Sequence, residues 1–154
     1  MAKQDYIQAN RDWLAKKSQE SGVKEIAKGI FYKVIKKGKN DGCHPNLSSV
    51  VTIIKNNPII CLDGCHPNLS SVVTVHYTGW TINGKKFDSS RGGIAPAFRL
   101  RGLIEGWTIA LQQMCIGDKW ELYIPAERGY GRFSQPGIPG GSTLIFEVEL
   151  LAFV

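Results

Sequence analysis

The chain has 154 residues, of which 43% are hydrophobic and 10% aromatic, with a formal net charge of +6 and four cysteines. This length can bury one substantial core, which favours a single domain with extensions. No run of about 18 apolar residues is present, which argues against a membrane-spanning or membrane-bound protein. The N-terminal residues also lack the apolar centre of a secretory signal, so we expect a cytoplasmic protein with reduced thiols, although a chain trimmed of its signal would look the same.

The positive charge is concentrated in the N-terminal part. Residues 1–40 contain ten Lys and Arg against four Asp and Glu, whereas residues 41–154 contain nine of each kind. Such a segment is compatible with binding to nucleic acid or another anionic surface. Neither a series of stacking aromatics nor a nucleic-acid-binding motif accompanies it, so a solvated helix face is the preferred interpretation and a nucleic-acid partner is not expected.

The first predicted element is a helix over residues 3–20, within an N-terminal extension of residues 1–27. Its apolar side chains form a narrow stripe made of Tyr6, Ile7, Trp13 and Leu14. A stripe of this kind needs a partner, either the body of the same chain or the same helix of a second copy in a homodimer. Residues 29–37 then alternate in polarity and predict the first strand of a domain that covers residues 28–154.

A tandem repeat separates this strand from the next one. Residues 41–52 recur letter for letter as residues 63–74, a step of 22 residues. Only the second copy runs directly into the following strand, so residues 41–62 are predicted to be an insertion, which loop-closure entropy tolerates. The β-forming residues 50–54 and 59–62 predict an extra hairpin or an edge that promotes association, which is a second possible route to a homodimer.

The repeat also duplicates a Cys-His pair, which raises the question of a metal site. The pairs are Cys43-His44 and Cys65-His66, with Cys61 between them. Adjacent Cys and His are not a familiar chelating spacing for zinc, and the duplication accounts for both pairs. We therefore predict neither a metal nor a cofactor.

The segment Val73–Ser90 contains the strongest candidate for a functional site. Its first half alternates, which places Tyr77 on the inner face of a strand. Asn83-Gly84 predicts a tight hairpin with a primed turn, in which both residues have positive φ, and the chain then returns to Phe87 and Asp88. A carboxylate beside aromatic rings must be hydrogen-bonded, and this makes Asp88 a functional candidate.

A short helix and two further strands complete the domain. Apolar residues at Ile104, Trp107, Leu111 and Met114 predict one helix face packed on a sheet, and strands are predicted at residues 120–125 and 143–154. Strands on both sides of one helix predict an α+β domain whose antiparallel sheet curls over it.

The candidate pocket then comprises Tyr77, Phe87, Asp88, Ile104, Trp107, Tyr130 and Phe146. From spacing alone, an ordinary aromatic core is the favoured interpretation of these residues. His76 faces away from this pocket, and no nucleophile elbow, catalytic triad order or phosphate loop is present.

Five ordered motifs resemble those of the FKBP-type peptidyl-prolyl cis-trans isomerases. They are residues 75–79, 84–90, 103–107, 130–131 and 143–151, and the resemblance covers about residues 28–40 and 63–154. With its helical preface, the chain is most similar to bacterial members of the macrophage infectivity potentiator kind. The resemblance implies a five-stranded antiparallel half-barrel sheet wrapped around a short helix. It also implies binding of proline-containing unfolded or flexible polypeptides, and of macrolides such as rapamycin, in one pocket.

The resemblance also assigns roles to residues. Trp107 would form the floor under the proline ring, and the Tyr130 hydroxyl and the Ile104 backbone N–H would orient carbonyl groups. Gln135 stands where many members carry histidine. The implied catalytic positions are Tyr77, Phe87, Asp88, Ile104, Trp107, Tyr130 and Phe146, and the implied substrate-binding positions are Leu103, Phe98, Gln135 and Ile138.

The function implied is acceleration of Xaa-Pro bond rotation during protein folding, without a nucleophile. Two alternatives remain at this point. One is a chaperone or protein-binding module with a vestigial, non-catalytic pocket. The other is a basic accessory protein that binds nucleic acid through residues 1–28.

Overall fold

Seven strands and two α-helices make up the part of the chain that this computed structural model describes, residues 3–38 and 66–154. All strand pairs are antiparallel and belong to one sheet with the order β1-β2-β6-β7-β3-β4, while β5 pairs with β3. Short 3-10 turns at Leu100–Gly102 and Ala126–Arg128 precede α2 and follow β6. In chain order the elements are α1 (Lys3–Lys17), β1 (Val23–Ala27), β2 (Ile30–Lys36), β3 (Val72–Trp80), β4 (Lys86–Ser89), β5 (Ala97–Arg99), α2 (Glu105–Leu111), β6 (Lys119–Ile124) and β7 (Leu144–Phe153).

The predicted α+β class and antiparallel sheet are confirmed, and the five predicted strands are β2, β3, β4, β6 and β7. Two short strands, β1 and β5, add to them. β1 begins one residue after Gly22, which has a φ of 84°, and it pairs with β2 around Gly29, which has a φ of 81°. Its sequence Val-Lys-Glu-Ile-Ala does not alternate cleanly, and β5 has only three residues. Polarity patterns cannot detect strands of this kind, because pairing with a neighbour rather than periodicity stabilises them.

The core lies between the inner face of the sheet and α2. Trp107 and Leu111 of α2 pack there against side chains of β3, β6 and β7. Gly106 permits this close approach, since a Cβ at that position would lie 2.5 Å from the Cδ1 of Ile124. The remaining buried members of this cluster include Val73, Val75, Leu122, Leu144, Phe146, Val148 and Leu150.

Helix α2 is shorter than the sequence pattern predicts. It ends at Leu111, and tighter turns follow in which Gln113 N donates to Ala110 O and Met114 N donates to Leu111 O. Met114 remains fully buried although it lies outside the helix. The apolar spacing at residues 104–114 therefore predicts burial correctly but overestimates the length of the helix. In a 3-10 turn the side chains of residues i and i+3 also lie on the same side, so the apolar spacing continues beyond the helix.

Helix α1 packs on the opposite face of the sheet, against its own chain. Leu14 is 8% exposed, and the ring of Trp13 lies 6.0 Å from that of Tyr123 on β6. This contact buries Tyr123, which points away from the core that its neighbour Leu122 enters. Of the two partners left open for the apolar stripe, the body of the same chain is the one observed, and a homodimer stays a prediction.

Several sequence predictions concern residues 39–65, outside the described residues. These are the insertion with its extra hairpin and the environments of Cys43, Cys61 and Cys65. Within the described ranges, the second copy of the repeat enters β3 at Val72 as predicted. Neither described helix is long and apolar enough to cross a membrane, and no group of three metal-ligating side chains occurs in the same part of the chain.

Candidate active site

A pocket of about 530 Å³ opens between β3, β4, α2 and the long segment that joins β6 to β7. Every side chain predicted for the site lines this pocket, including the four predicted to bind substrate. Gly102 and Pro136 complete the lining and were not predicted. The predicted lining residues are Tyr77, Phe87, Asp88, Phe98, Leu103, Ile104, Trp107, Tyr130, Gln135, Ile138 and Phe146.

The floor of the pocket is the indole of Trp107, which is 4% exposed. Three rings meet it edge to face. Its centroid lies 5.1 Å from that of Phe146, 5.2 Å from that of Tyr77 and 6.2 Å from that of Phe98, with interplanar angles of 79–87°. Perpendicular aromatic contacts of this kind fix the orientation of the indole ring. The part of the indole that faces the pocket is therefore a rigid apolar surface.

A glycine in β3 allows the aromatic wall to form. A Cβ on Gly79 would lie 2.5 Å from the Cζ of Phe87 and 2.7 Å from the Cε1 of Phe146. These two rings are themselves perpendicular, with centroids 5.5 Å apart. Sequence analysis did not single out Gly79 as a site residue, although a glycine inside a strand pattern is the known signal for a close approach.

The β3–β4 hairpin brings Phe87 and Asp88 to the pocket, as predicted, but through a different turn. Gly84 has a φ of 82°, whereas no residue other than glycine has positive φ among the described residues, so Asn83 does not. Gly84 N donates to Thr81 O over 3.0 Å, and Thr81 N donates to Lys85 O over 3.0 Å. The prediction of a primed turn is therefore wrong. The connection is a three-residue loop with a left-handed glycine at its end, and the side-chain Oδ1 of Asn83 accepts a hydrogen bond from Lys85 N.

Two tyrosines and one carboxylate provide the polar groups at the rim. The Tyr77 hydroxyl donates to Oδ2 of Asp88 over 2.6 Å, and Ser89 N donates to Oδ1 of the same carboxylate over 2.8 Å. Burial raises the pKa of Tyr77 to about 12, with further contributions from the hydrogen bond to Asp88 and from its negative charge. Burial also raises the pKa of Tyr130, with a smaller contribution from Asp88. Both hydroxyls consequently keep their protons at neutral pH.

Asp88 itself is exposed, so water reaches the carboxylate at the rim while the rings line the interior. Since it also accepts two hydrogen bonds, the carboxylate incurs little of the desolvation penalty expected of a charge surrounded by aromatic rings.

The segment 129–141 forms the third wall and is held by backbone hydrogen bonds. Gln135 and Ile138 exchange two bonds of 2.9 and 2.8 Å, and Gly141 N donates to Gly131 O over 2.8 Å. Within the described residues neither the Tyr130 hydroxyl nor the Ile104 N–H has a protein hydrogen-bond acceptor. Tyr130 is 37% exposed. Both groups are thus available to a ligand.

His76 does not line the pocket, in agreement with the sequence analysis. Its Nδ1 lies 3.0 Å from the Oγ of Ser90, and that hydroxyl oxygen accepts a 2.8 Å hydrogen bond from Tyr77 N. From the outer face of the sheet, His76 thus contacts the Ser90 hydroxyl, which in turn holds the backbone N–H of the pocket residue Tyr77.

Comparison with known proteins agrees with this geometry. The family described as FKBP-type peptidyl-prolyl cis-trans isomerase matches residues 64–151, more than half of the chain. The chain belongs to this family. The positions that the resemblance implies for the pocket lie together in this structure.

Curated relatives extend the similarity beyond the FKBP domain. The chain is 37% identical over 142 residues to the isomerase FkpA of Escherichia coli, and 34% identical over 145 residues to the isomerase Mip of Coxiella burnetii. These alignments cover 92% and 93% of this chain but 44% and 53% of the relatives. The chain thus spans about half the length of the curated relatives it matches.

Solved structures show the same fold. A peptidyl-prolyl cis-trans isomerase from Pseudomonas syringae pv. tomato superposes with a TM-score of 0.76 at 31% identity, covering 99% of this chain and 96% of that one. FkpA from Escherichia coli gives a TM-score of 0.76 at 36% identity, covering 97% of this chain and 60% of that one. The similarity therefore includes α1 as well as the FKBP domain.

Proposed function

We propose that this chain is a peptidyl-prolyl cis-trans isomerase that accelerates rotation about Xaa-Pro bonds of unfolded or flexible polypeptides. The observation that carries the proposal is the pocket above Trp107, an apolar floor enclosed by perpendicular rings, with the Tyr77 and Tyr130 hydroxyls and the Asp88 carboxylate at its rim. A proline ring is apolar and rigid, whereas the carbonyl groups that flank it are polar, so the two parts of the substrate match the two parts of the pocket.

The pocket composition favours a non-covalent mechanism. Among the residues that the structure describes, its lining contains one carboxylate and no histidine, cysteine, serine or lysine, and thus no paired nucleophile and base. Rotation about an amide bond costs about 18–20 kcal/mol because resonance is lost. A twisted amide is less polar than a planar one, and a dry aromatic pocket therefore favours the twisted geometry relative to water. Lowering the barrier by about 6 kcal/mol would accelerate rotation roughly 10⁴-fold.

Individual residues take roles that follow from their positions. Trp107 supports the proline ring from below. The Tyr130 hydroxyl and the Ile104 N–H, which lack protein acceptors among the described residues, donate to substrate carbonyls. Asp88 does not act as a general base, because rotation transfers no proton; it accepts from Tyr77 and fixes the orientation of that ring.

Macrolides such as rapamycin are expected to compete for the same pocket. The volume of about 530 Å³ exceeds what a single proline ring needs, and Phe98, Leu103 and Ile138 supply apolar surface for neighbouring groups. The same surface favours a bulky apolar residue before the proline.

The test is protease-coupled isomerase kinetics on a Leu-Pro-Phe peptide, with and without rapamycin. It compares the full chain with a variant that lacks residues 41–62, in which only the second copy of the repeat remains. Activity and inhibition in both proteins would support the proposal and show that the insertion is tolerated. If neither protein accelerates isomerisation yet both bind unfolded polypeptides, the non-catalytic binding module replaces the enzyme.

A further inference from the structure

Asn10 of α1 is almost completely buried and bridges two distant parts of the chain. It is 1% exposed, and its Nδ2 donates to Tyr6 O over 2.8 Å. Its Oδ1 accepts from Thr143 N over 2.8 Å, and the Thr143 hydroxyl donates back to Asn10 O over 3.2 Å. A buried amide with its donor and acceptor both used specifies one docking geometry, because any displacement leaves polar groups unpaired.

Two neighbouring contacts attach the same helix to the same segment. Ser142 donates to Pro139 O over 2.6 Å, so the Tyr6 hydroxyl is the donor in its 2.8 Å hydrogen bond with the Ser142 oxygen. Gly141 accommodates Ile7, whose Cγ1 would lie 2.5 Å from a Cβ at that position. Helix α1 therefore contacts three successive residues, 141 to 143, on the chain that leads into β7.

This segment is continuous with the third wall of the pocket. Gly141 N donates to the carbonyl of Gly131, the residue after Tyr130, and Gly140 N donates to Ser134 Oγ over 3.0 Å. The hydrogen bonds of Gly140 and Gly141 thus connect residues 141–143 to the part of the wall that carries Tyr130 and Gln135.

The other side of this wall packs on the sheet and core at Gly137 and Ile138, but not along its whole length. A groove of about 450 Å³ separates the loop residues from the β3–β4 turn, and Tyr6 lines it at one end. The groove is lined by Tyr6, Thr81, Asn83, Lys85, Ser134, Gln135, Gly137, Ile138 and Pro139. Because this groove is open, the hairpin turn does not brace the loop there. Ile138, which is 5% exposed, anchors the loop in the core, and α1 holds the residues that follow it, 141–143.

We propose that α1 belongs to the isomerase unit, with Asn10 and Tyr6 acting as positioning residues that hold the 129–141 wall of the pocket in its binding-competent position. The inference rests on the proposed function, since it assigns the wall a role in binding prolyl substrate. If the wall occupies its binding-competent position for only a fraction of the time, the apparent affinity for substrate falls in proportion to that fraction. The rate of isomerisation in the bound complex changes little.

The experiment uses the full chain with the substitutions Asn10→Ala and Tyr6→Phe. Gln8→Ala is the control on the same helix, because Gln8 is exposed and its side chain bonds only to Asp12 of α1. Ile30→Val is the control for general destabilisation, because Ile30 is fully buried away from the pocket lining. KM and kcat are measured together with hydrogen–deuterium exchange of residues 129–141.

For Asn10→Ala we expect KM to rise about fivefold to tenfold with kcat within twofold, and exchange in residues 129–141 to accelerate by a similar factor. Tyr6→Phe should show the same pattern with a smaller amplitude, and neither control should show it. Unchanged KM and exchange in both variants of an active enzyme would overturn the inference. Equal effects in Ile30→Val would also overturn it, because the cause would then be global stability. An inactive wild-type chain would instead refute the proposed function, and exchange alone would then report whether α1 holds the wall.

Discussion

The Tyr77 hydroxyl donates to Oδ2 of Asp88 across the β3–β4 pair, over a distance of 2.6 Å. This bond joins the ring that packs against Trp107 to the carboxylate at the rim. The orientation of an interior ring therefore depends on an exposed residue.

The first prediction concerns this pair. Asp88→Val removes the acceptor, and Tyr77→Phe removes the donor but retains the ring. Each change should lower kcat/KM about fivefold to twentyfold, and the double variant should be little worse than the worse single variant, since both remove the same bond. Protease-coupled kinetics on all four proteins provide the cycle. Fully additive losses would show that the two residues act independently.

The pair should also be visible in a titration. Because the folded-state pKa of Tyr77 is raised to about 12, above its ordinary value of 10.0, this tyrosine contributes stability that is complete below pH 10 and is lost as pH rises towards 12. Asp88→Asn should lower that pKa, since it removes the negative charge beside the hydroxyl. Absorbance of tyrosinate near 295 nm measures the change, with Tyr77→Phe identifying the signal. An unchanged titration in Asp88→Asn would assign the raised pKa to burial alone.

Gly79 is predicted to be intolerant of any side chain. Gly79→Ala places a Cβ within 2.7 Å of both Phe87 and Phe146 and should lower the free energy of unfolding by about 1–3 kcal/mol through overpacking. Rapamycin affinity should fall as well, because the displaced rings form the pocket wall. Gly93→Ala is the matched control, as its nearest neighbour would be 3.8 Å away. Urea unfolding measures stability. Equal, small effects of the two substitutions would contradict the prediction.

The two buried tryptophans allow a direct test of the pocket floor. Trp107 and Trp120 are 4% and 5% exposed, and the Nε1 of each is buried without a hydrogen-bond partner among the described residues. Trp107→Ala and Trp120→Ala should therefore each destabilise the fold by about 3–5 kcal/mol. Only Trp107→Ala should also abolish the fluorescence change on adding rapamycin and reduce kcat/KM by about tenfold or more in the protein that remains folded. Similar activity losses for both variants would leave Trp107 with a purely structural role.

Much of the candidate site was predictable because its residues lie in short segments with strong local patterns. The alternation at β3 orients Tyr77 inward, the glycine turn returns the chain to Phe87 and Asp88, and the apolar spacing before Met114 directs Trp107 to the sheet. In each of these segments, the facing of a side chain follows from the period of its own element. The resemblance to the FKBP family then distinguished a pocket from an ordinary aromatic core, which periodicity alone left open.

Other features depended on contacts between segments that are far apart in sequence. Gly84 has a positive φ and Asn83 does not, because the asparagine side chain and the register of β3 with β4 decide the loop type. The importance of Gly79 becomes visible only when two rings from β4 and β7 lie over it.

By itself, then, the sequence determined the α+β class and the five main strands through local periodicity, and the family and most of the pocket residues through ordered motifs and the resemblance that they carry. Only the tertiary structure decided where α1 docks. The apolar stripe was equally compatible with the chain's own body and with a second copy, and Asn10 lies outside that stripe. Burial of a polar residue is favourable only when its partners are in place, and those partners, Tyr6 O and Thr143 N, come together only in the folded chain.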